Sequence, residues 1–221
     1  MKKHTRINDI ALGFLERPAL QFLARKMPSW VNPDILTGLG LLAALLVGVS
    51  YYLTNFNNNF LWLASFGLII NWFGDSLDGT LARYRKIERP RYGFFLDHIV
   101  DSISEIFIFL GIGLSPLVDY KLASLVLIGY LCLSILIYLT TYVEGVFKIS
   151  YGKMGPTEIR VIAIIANTVI YFLGNFDFNT IIGAISLYNI IAGFVAFLLF
   201  SFFLYTATKN IILLSKEDRK K

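Results

Sequence analysis

Six apolar runs, each close to the ~20 residues a helix needs to cross a bilayer, constrain this chain more than any other feature. They fall at about residues 34–54, 60–82, 93–115, 121–146, 157–174 and 181–208, and the last extends toward Lys216. Short segments rich in turn formers separate them, NFNNN, SPLVDY and NFDFN among them. Of the 221 residues 56% are hydrophobic and 16% charged, with a mean hydropathy of +0.65, too apolar for a soluble domain of this length. The 19 Phe, 12 Tyr and 3 Trp suit lipid-facing and interfacial surface. The expectation is an all-α integral membrane protein with six transmembrane helices and an N-terminal amphipathic interfacial helix. No internal repeat or second domain is visible. The chain divides into a segment 1–33, a six-span domain 34–208 and a basic tail 209–221.

Residues 6–26 read as the amphipathic helix. Ile7, Ile10, Ala11, Phe14 and Leu15 fall on one side, and Arg17, Gln21 and Arg25 on another. Such a helix lies in the membrane interface or packs over the mouth of a site. Pro18 is expected to kink or restart it, and Trp30 follows as an interface anchor. No apolar core long enough for a cleavable signal peptide precedes the first run. Cys132, the single cysteine, excludes an intrachain disulfide.

Charge placement orients the spans. With an even span count, both termini share a side with loops 83–92 and 147–156. That side then holds 19 of the 20 Lys and Arg residues, and the other holds Lys121 alone. The positive-inside rule makes the rich side cytoplasmic. The net charge of +5 is therefore assigned to anionic lipid and topology rather than to nucleic acid.

Against this apolar background the segment 75–101, DSLDGTLARYRKIERPRYGFFLDHIVD, places carboxylates at the ends of two spans. A charge at a helix centre costs roughly 2.5–3.5 kcal/mol on insertion scales, so such residues need a partner or a purpose. Asp75 and Asp78 share one helical face through their i, i+3 spacing, and Gly79 and Ala82 continue it with small side chains. Gly93, Asp97, Asp101 and Glu105 follow at four-residue steps on the next span. The two acidic faces can converge as a helical hairpin. Clustered carboxylates repel one another unless cations sit between them, and hard divalent ions take such oxygen ligands. An ion-paired hairpin using Arg83 and Arg85 is the structural alternative.

The pattern Asp75-x2-Asp78-Gly79-x2-Ala82-Arg83-x9-Gly93-x3-Asp97-x3-Asp101 resembles, at eight spaced positions, the signature of the CDP-alcohol phosphotransferases (CDP-alcohol phosphatidyltransferases), integral membrane enzymes of phospholipid synthesis. The resemblance implies that Asp75, Asp78 and Asp97 bind two divalent ions, magnesium or manganese, with Asp101 completing the site and serving as general base. It implies that Asp78, Gly79, Ala82, Arg83 and Gly93 line the nucleotide pocket; small-residue helix packing is the alternative for the small ones. The implied substrates are a CDP-linked lipid, CDP-diacylglycerol, and a small polar alcohol, with CMP released. Homodimerisation is common in the family.

Other residues keep two readings. His98 points about 100° from the acidic face in an ideal helix, which favours packing over acid–base assistance. Glu105 either bonds another span or touches the acceptor. Lys153, Glu158 and Arg160 are candidates for acceptor or phosphate binding, while Thr157 and Glu158 also fit a helix start. Arg85, Lys86, Arg89 and Arg91 read as a topology signal before a lipid grip. Two rival functions remain. A soluble CDP-alcohol could donate its head group to a lipid alcohol, as the motif LDHIVDS with His98 after the third aspartate suggests. A cation transporter would need carboxylates reaching both faces, whereas these crowd toward one.

Overall fold

A computed structural model of the chain describes residues 5–7, 11–144, 146–148, 155–174, 177–180 and 183–219, of which 5–7, 144, 146–148, 177, 179–180 and 183–185 are described by backbone alone. Among the described residues there are seven helices: α1 Gly13–Lys26, α2 Pro33–Leu53, α3 Phe60–Arg85, α4 Pro90–Gly113, α5 Tyr120–Glu144, α6 Pro156–Leu173 and α7 Leu187–Asp218. Four short extended segments accompany them. β1 Thr5–Ile7 pairs in parallel with β2 Val146–Lys148, and β3 Asp177–Thr180 pairs antiparallel with β4 Gly183–Ser186.

Local chemistry sets most helix ends. The Asn32 side chain accepts from Ile35 N at 2.9 Å, and Pro33 supplies a preset first residue for α2. Lys86, in the left-handed region at φ 57°, stops α3, and Pro90 opens α4. Ser186 caps α7 by accepting from Tyr188 N at 3.1 Å. That cap, together with the β3–β4 pairing, starts the last helix at Leu187 rather than near 181.

Two expectations for the N-terminus are corrected. The helix begins at Gly13, not at residue 6, because the Leu12 amide is taken by the Glu158 carboxylate at 2.8 Å and Thr5–Ile7 is extended. Pro18 does not restart the helix, since α1 runs through it on the exposed side.

α2 is the central helix, packed along both α3 and α4, while α3 also receives α1 and α6, and α5 packs on α4 and α7. Glycines make the two central contacts close. A Cβ on Gly74 of α3 would lie 2.5 Å from Leu36 O and 2.6 Å from Gly40 N of α2. A Cβ on Gly111 of α4 would collide with the backbone of Gly48. Small residues let helix backbones approach where dispersion and interhelical hydrogen bonds, not a water-driven effect, hold helices together. A buried polar chain adds to the bundle: Tyr51 donates to Asn167 Oδ1 at 3.0 Å, and Asn167 Nδ2 donates to Ser65 Oγ at 3.1 Å. Outward, Phe194, Phe197, Leu198 and Leu204 of α7 are exposed, as lipid-facing side chains would be.

Among the described residues, five helices are long and apolar enough to cross a membrane: α2, α3, α5, α6 and α7. α4, the remaining member of the expected six, carries Asp97, Asp101 and Glu105 within residues 96–113. Its acidity is the reason it stands apart.

Candidate active site

α3 and α4 lie against the same central helix, and the two glycine contacts set how closely. Their acidic ends therefore face a common cavity of about 600 Å³. α3 contributes Asp75, Asp78, Gly79 and Arg83 to its wall, and α4 contributes Asp97, His98, Asp101 and Glu105. Six of the eight motif positions thus meet in one place. The other two do not: Ala82 is half-buried away from the wall, and Gly93 has nothing within 4 Å of where a Cβ would stand. Asp97, His98 and Asp101 can bring one ligand atom each within 4.8 Å of one another.

Two of the aspartates are held by named donors. Thr37 of α2 donates to Asp78 Oδ2 at 2.6 Å. Arg160 of α6 donates to Asp75 Oδ2 at 2.6 Å and to Asn71 Oδ1 at 2.8 Å, while Asn71 Nδ2 bonds Gly40 O at 2.9 Å. Arg160 is a cation bonded to the acidic cluster that the alternative of an ion-paired hairpin with Arg83 and Arg85 did not name. Arg83 reaches Thr80 Oγ1 at 3.1 Å and lies against Gly79. Arg85 instead clasps the α1–α2 connection, donating to the carbonyls of Met27 (3.0 Å), Pro28 (2.7 Å) and Val31. Arg89 pairs with Asp34.

His98 departs from the helical-wheel expectation. Its ring lines the cavity, with Nδ1 3.6 Å from Asp97 Oδ2, and it also packs, against Phe94 at 4.2 Å and Tyr138 at 4.7 Å between centroids. These contacts support the packing reading of this residue. The acceptor candidates are sorted too. Glu158 is buried and spent on backbone, accepting from Leu12 N at 2.8 Å and Gly155 N at 3.0 Å, so it joins the start of α6 to the start of α1. Arg160 is committed to Asp75 and Asn71, and Lys153 lies outside the described residues.

Several wall residues were not read from the sequence as parts of a site. α1 packs over the cavity, as the second reading of that helix allowed, and supplies Glu16, Arg17 and Gln21. Glu16 Oε1 accepts from Trp72 Nε1 at 3.0 Å and from Thr157 Oγ1 at 2.8 Å, tying α1 to α3 and α6. α5 supplies Tyr130, Ser134 and Tyr138. Their four-residue spacing in an otherwise apolar span was the signal available, three hydroxyls on one helical face.

This donor set fits hard divalent cations. Six carboxylates, Glu16, Asp75, Asp78, Asp97, Asp101 and Glu105, share the cavity wall with Arg17 and Arg83, and Arg160 pairs with Asp75, which leaves excess negative charge that oxygen-loving ions would neutralise. Asp75, Asp78, Asp97 and Asp101 are the residues that would hold them.

The chain is thus a helical protein with membrane-length spans and a carboxylate-lined cavity where α3 and α4 meet. The chain belongs to the CDP-alcohol phosphatidyltransferase family, whose sequence model matches residues 30–200. Among curated proteins it is similar to an archaetidylinositol phosphate synthase of Pyrococcus horikoshii, 37% identical over 99 residues (45% of this chain, 50% of the relative). A phosphatidylinositol phosphate synthase of Cutibacterium acnes is 35% identical over 85 residues, 38% of each chain. A longer match, 27% identical over 165 residues, covers 69% of this chain and 41% of cholinephosphotransferase 1 of Danio rerio. Each match spans half or less of the relative's own length.

Proposed function

We propose that the protein transfers the phosphatidyl group of a CDP-linked lipid, CDP-diacylglycerol, to the hydroxyl of a small polar alcohol and releases CMP. The observation that carries this reading is the gathering of Asp75, Asp78, Gly79, Arg83, Asp97 and Asp101, in the family's spacing, around one cavity. The acceptor oxygen attacks the lipid-side phosphorus and forms a new P–O bond. The diphosphate P–O bond breaks, and CMP departs with the bridging oxygen. The hydroxyl proton passes to the Asp101 carboxylate, the general base. Divalent ions held by the aspartates, magnesium or manganese, supply charge neutralisation of the phosphate oxygens when bound. Thr37 and Arg160 fix Asp78 and Asp75, so the carboxylates need little reorganisation. Gly79 and Arg83 form the nucleotide side of the wall. α4 serves as the sixth span, the termini and cavity face the cytoplasm, and the exposed Phe14, Leu15 and Phe22 of α1 dip into the interface.

A second reading has specific support. The cholinephosphotransferase matches are the longer ones, and His98 stands in the acidic cluster. Head-group transfer from a soluble CDP-alcohol to a lipid alcohol would use the same residues with the substrates' lipid ends exchanged. One experiment separates the two. Purified protein is incubated with magnesium and either CDP-diacylglycerol plus a panel of alcohols or CDP-choline plus diacylglycerol, and CMP is measured. CMP from the first mixture alone is expected. Release from the second alone selects the other direction, and undiminished release after metal stripping and excess EDTA would falsify the metal assignment.

A further inference from the structure

α6 brings Arg160 to Asp75, yet the close glycine contacts join α2 to α3 and to α4, and α6 has no part in them. A rotation of α6 by one residue, about 100°, would aim Arg160 away from its partner. Two buried asparagines bond this helix instead. Asn71 of α3 donates to Gly40 O of α2 at 2.9 Å and accepts from Arg160 Nε at 2.8 Å. Asn167 lies seven residues beyond Arg160 on the same face of α6, about 10.5 Å along the axis. Its Oδ1 accepts from the Tyr51 hydroxyl of α2 at 3.0 Å, and its Nδ2 donates to Ser65 Oγ of α3 at 3.1 Å. Ser65 in turn donates to Leu61 O at 2.9 Å, so this second tier also ends on backbone. Tyr51, Ser65, Asn71 and Asn167 are each 5% exposed or less, and all four stand outside the cavity wall.

We propose that Tyr51, Ser65 and Asn167 are positioning residues for the transferase site: they fix the register of α6 on α2 and α3, so that Arg160 meets Asp75. The inference rests on the transferase reading of the acidic cavity, in either direction of transfer. An amide buried among apolar side chains costs free energy unless both of its ends are bonded. Turning or sliding α6 would strip Asn167 of both partners at once. One setting of the helix is therefore favoured, as a single buried asparagine selects one register in a coiled coil. Ile170 of α6 adds apolar packing in the same core, but such packing has no comparable directionality. Arg160 stands two turns away on the same face, so the setting chosen at Asn167 is carried to it by the helix. Asn71 then takes Arg160 Nε and leaves Nη2 for Asp75 at 2.6 Å.

A double-mutant cycle tests this. CMP release is measured for full-length protein in detergent with saturating magnesium. The substrates are CDP-diacylglycerol with the alcohol panel, or CDP-choline with diacylglycerol, whichever yields CMP. Asn167→Leu removes both bonds at comparable size and should lower kcat by roughly 5–30-fold, the upper part of what such indirect changes do. Tyr51→Phe deletes one hydroxyl, should lower kcat by about 3–10-fold, and decides the question if Asn167→Leu does not fold. In an Arg160→Gln background the same changes should matter less than about twofold, because the residue they act through is gone. Arg160→Lys, which keeps the charge but not the forked geometry, replaces that background if Arg160→Gln turns over too slowly. A role in packing alone would lower the active fraction by the same factor in both backgrounds. That additive result overturns the inference while leaving the transferase reading intact, and so does an unchanged kcat in the folded single variants. No CMP from the wild type in either mixture removes the transferase reading and this inference with it.

Discussion

Replacing Arg160 by Gln tests what holds the acidic cluster together. The side chain is 15% exposed and its partner Asp75 22%, so the pair lies in a partly dry environment. Removing one member of a buried pair leaves an uncompensated charge and costs about 3–5 kcal/mol. Here the remaining carboxylate also faces Asp78, Asp97 and Asp101 across the cavity, and Asn71 Oδ1 loses its donor. At about 2–4 °C per kcal/mol for a chain of this size, the melting temperature of metal-free Arg160→Gln in detergent should fall by roughly 6–20 °C. The same measurement in millimolar manganese should show a much smaller deficit. A divalent ion neutralises the carboxylates that the arginine left behind, and binding to the folded state alone stabilises it further. Tryptophan fluorescence melts with and without the ion give both numbers. An equal deficit in the two conditions would refute the argument, because it would mean that Arg160 acts by packing and that the carboxylates bind no ion.

Other perturbations address separate parts of the reading. Asp101→Asn cannot accept a proton, so CDP binding should survive while turnover falls about 10²–10⁴-fold; Asp78→Asn should lose binding and turnover together, and isothermal titration beside CMP release compares them. Near-normal turnover by Asp101→Asn would move the base elsewhere, with His98 tested next. Gly111→Leu forces α4 away from Gly48 and should abolish most activity and lower the melting temperature, whereas Gly38→Ala, with nothing within 4 Å of its Cβ, should be silent on both measures. A cysteine at Asn57 should react with an impermeant thiol reagent from the external face alone, and one at Arg91 from the cytoplasmic face alone; labelling of both from one side would refute the six-span topology.

Much of this was legible in the chain because the membrane leaves so few options. Apolar runs near 20 residues have to be helices, so α2, α3, α5 and α6 begin and end within a few residues of where the hydropathy places them. The acidic hairpin was legible for a related reason: carboxylates so close to hydrocarbon need a purpose, and their spacing already put them on two faces. What escaped lies in interactions between segments distant in sequence. Arg160 meets Asp75 across 85 residues, and Glu158 meets Leu12 across 146. Nothing local distinguishes Glu158 as a clamp from Glu158 as a substrate contact, since both need a glutamate near a helix start. An ideal wheel fixes only the Cβ direction of His98, and its imidazole, packed between Phe94 and Tyr138 as expected, also lies near Asp97.

The four aspartates cannot have drawn themselves together, because their mutual repulsion opposes the convergence on which the site depends. The structure locates the opposing forces. Gly40 against Gly74 and Gly48 against Gly111 seat α3 and α4 on the same central helix, so dispersion between closely packed backbones fixes where the acidic ends must go. Thr37 then gives Asp78 a donor, and Arg160 gives Asp75 a counter-charge, from α2 and α6. Neither contact extends to Asp97 or Asp101. Two carboxylates are thus held in place by the protein, while Asp97 and Asp101 of α4 line the cavity that a ligand would enter. A cluster fully neutralised from within would have no use for a cation, and one held by nothing would spread apart before a cation arrived. The half-compensated state between these extremes would suit divalent ions while keeping the geometry set.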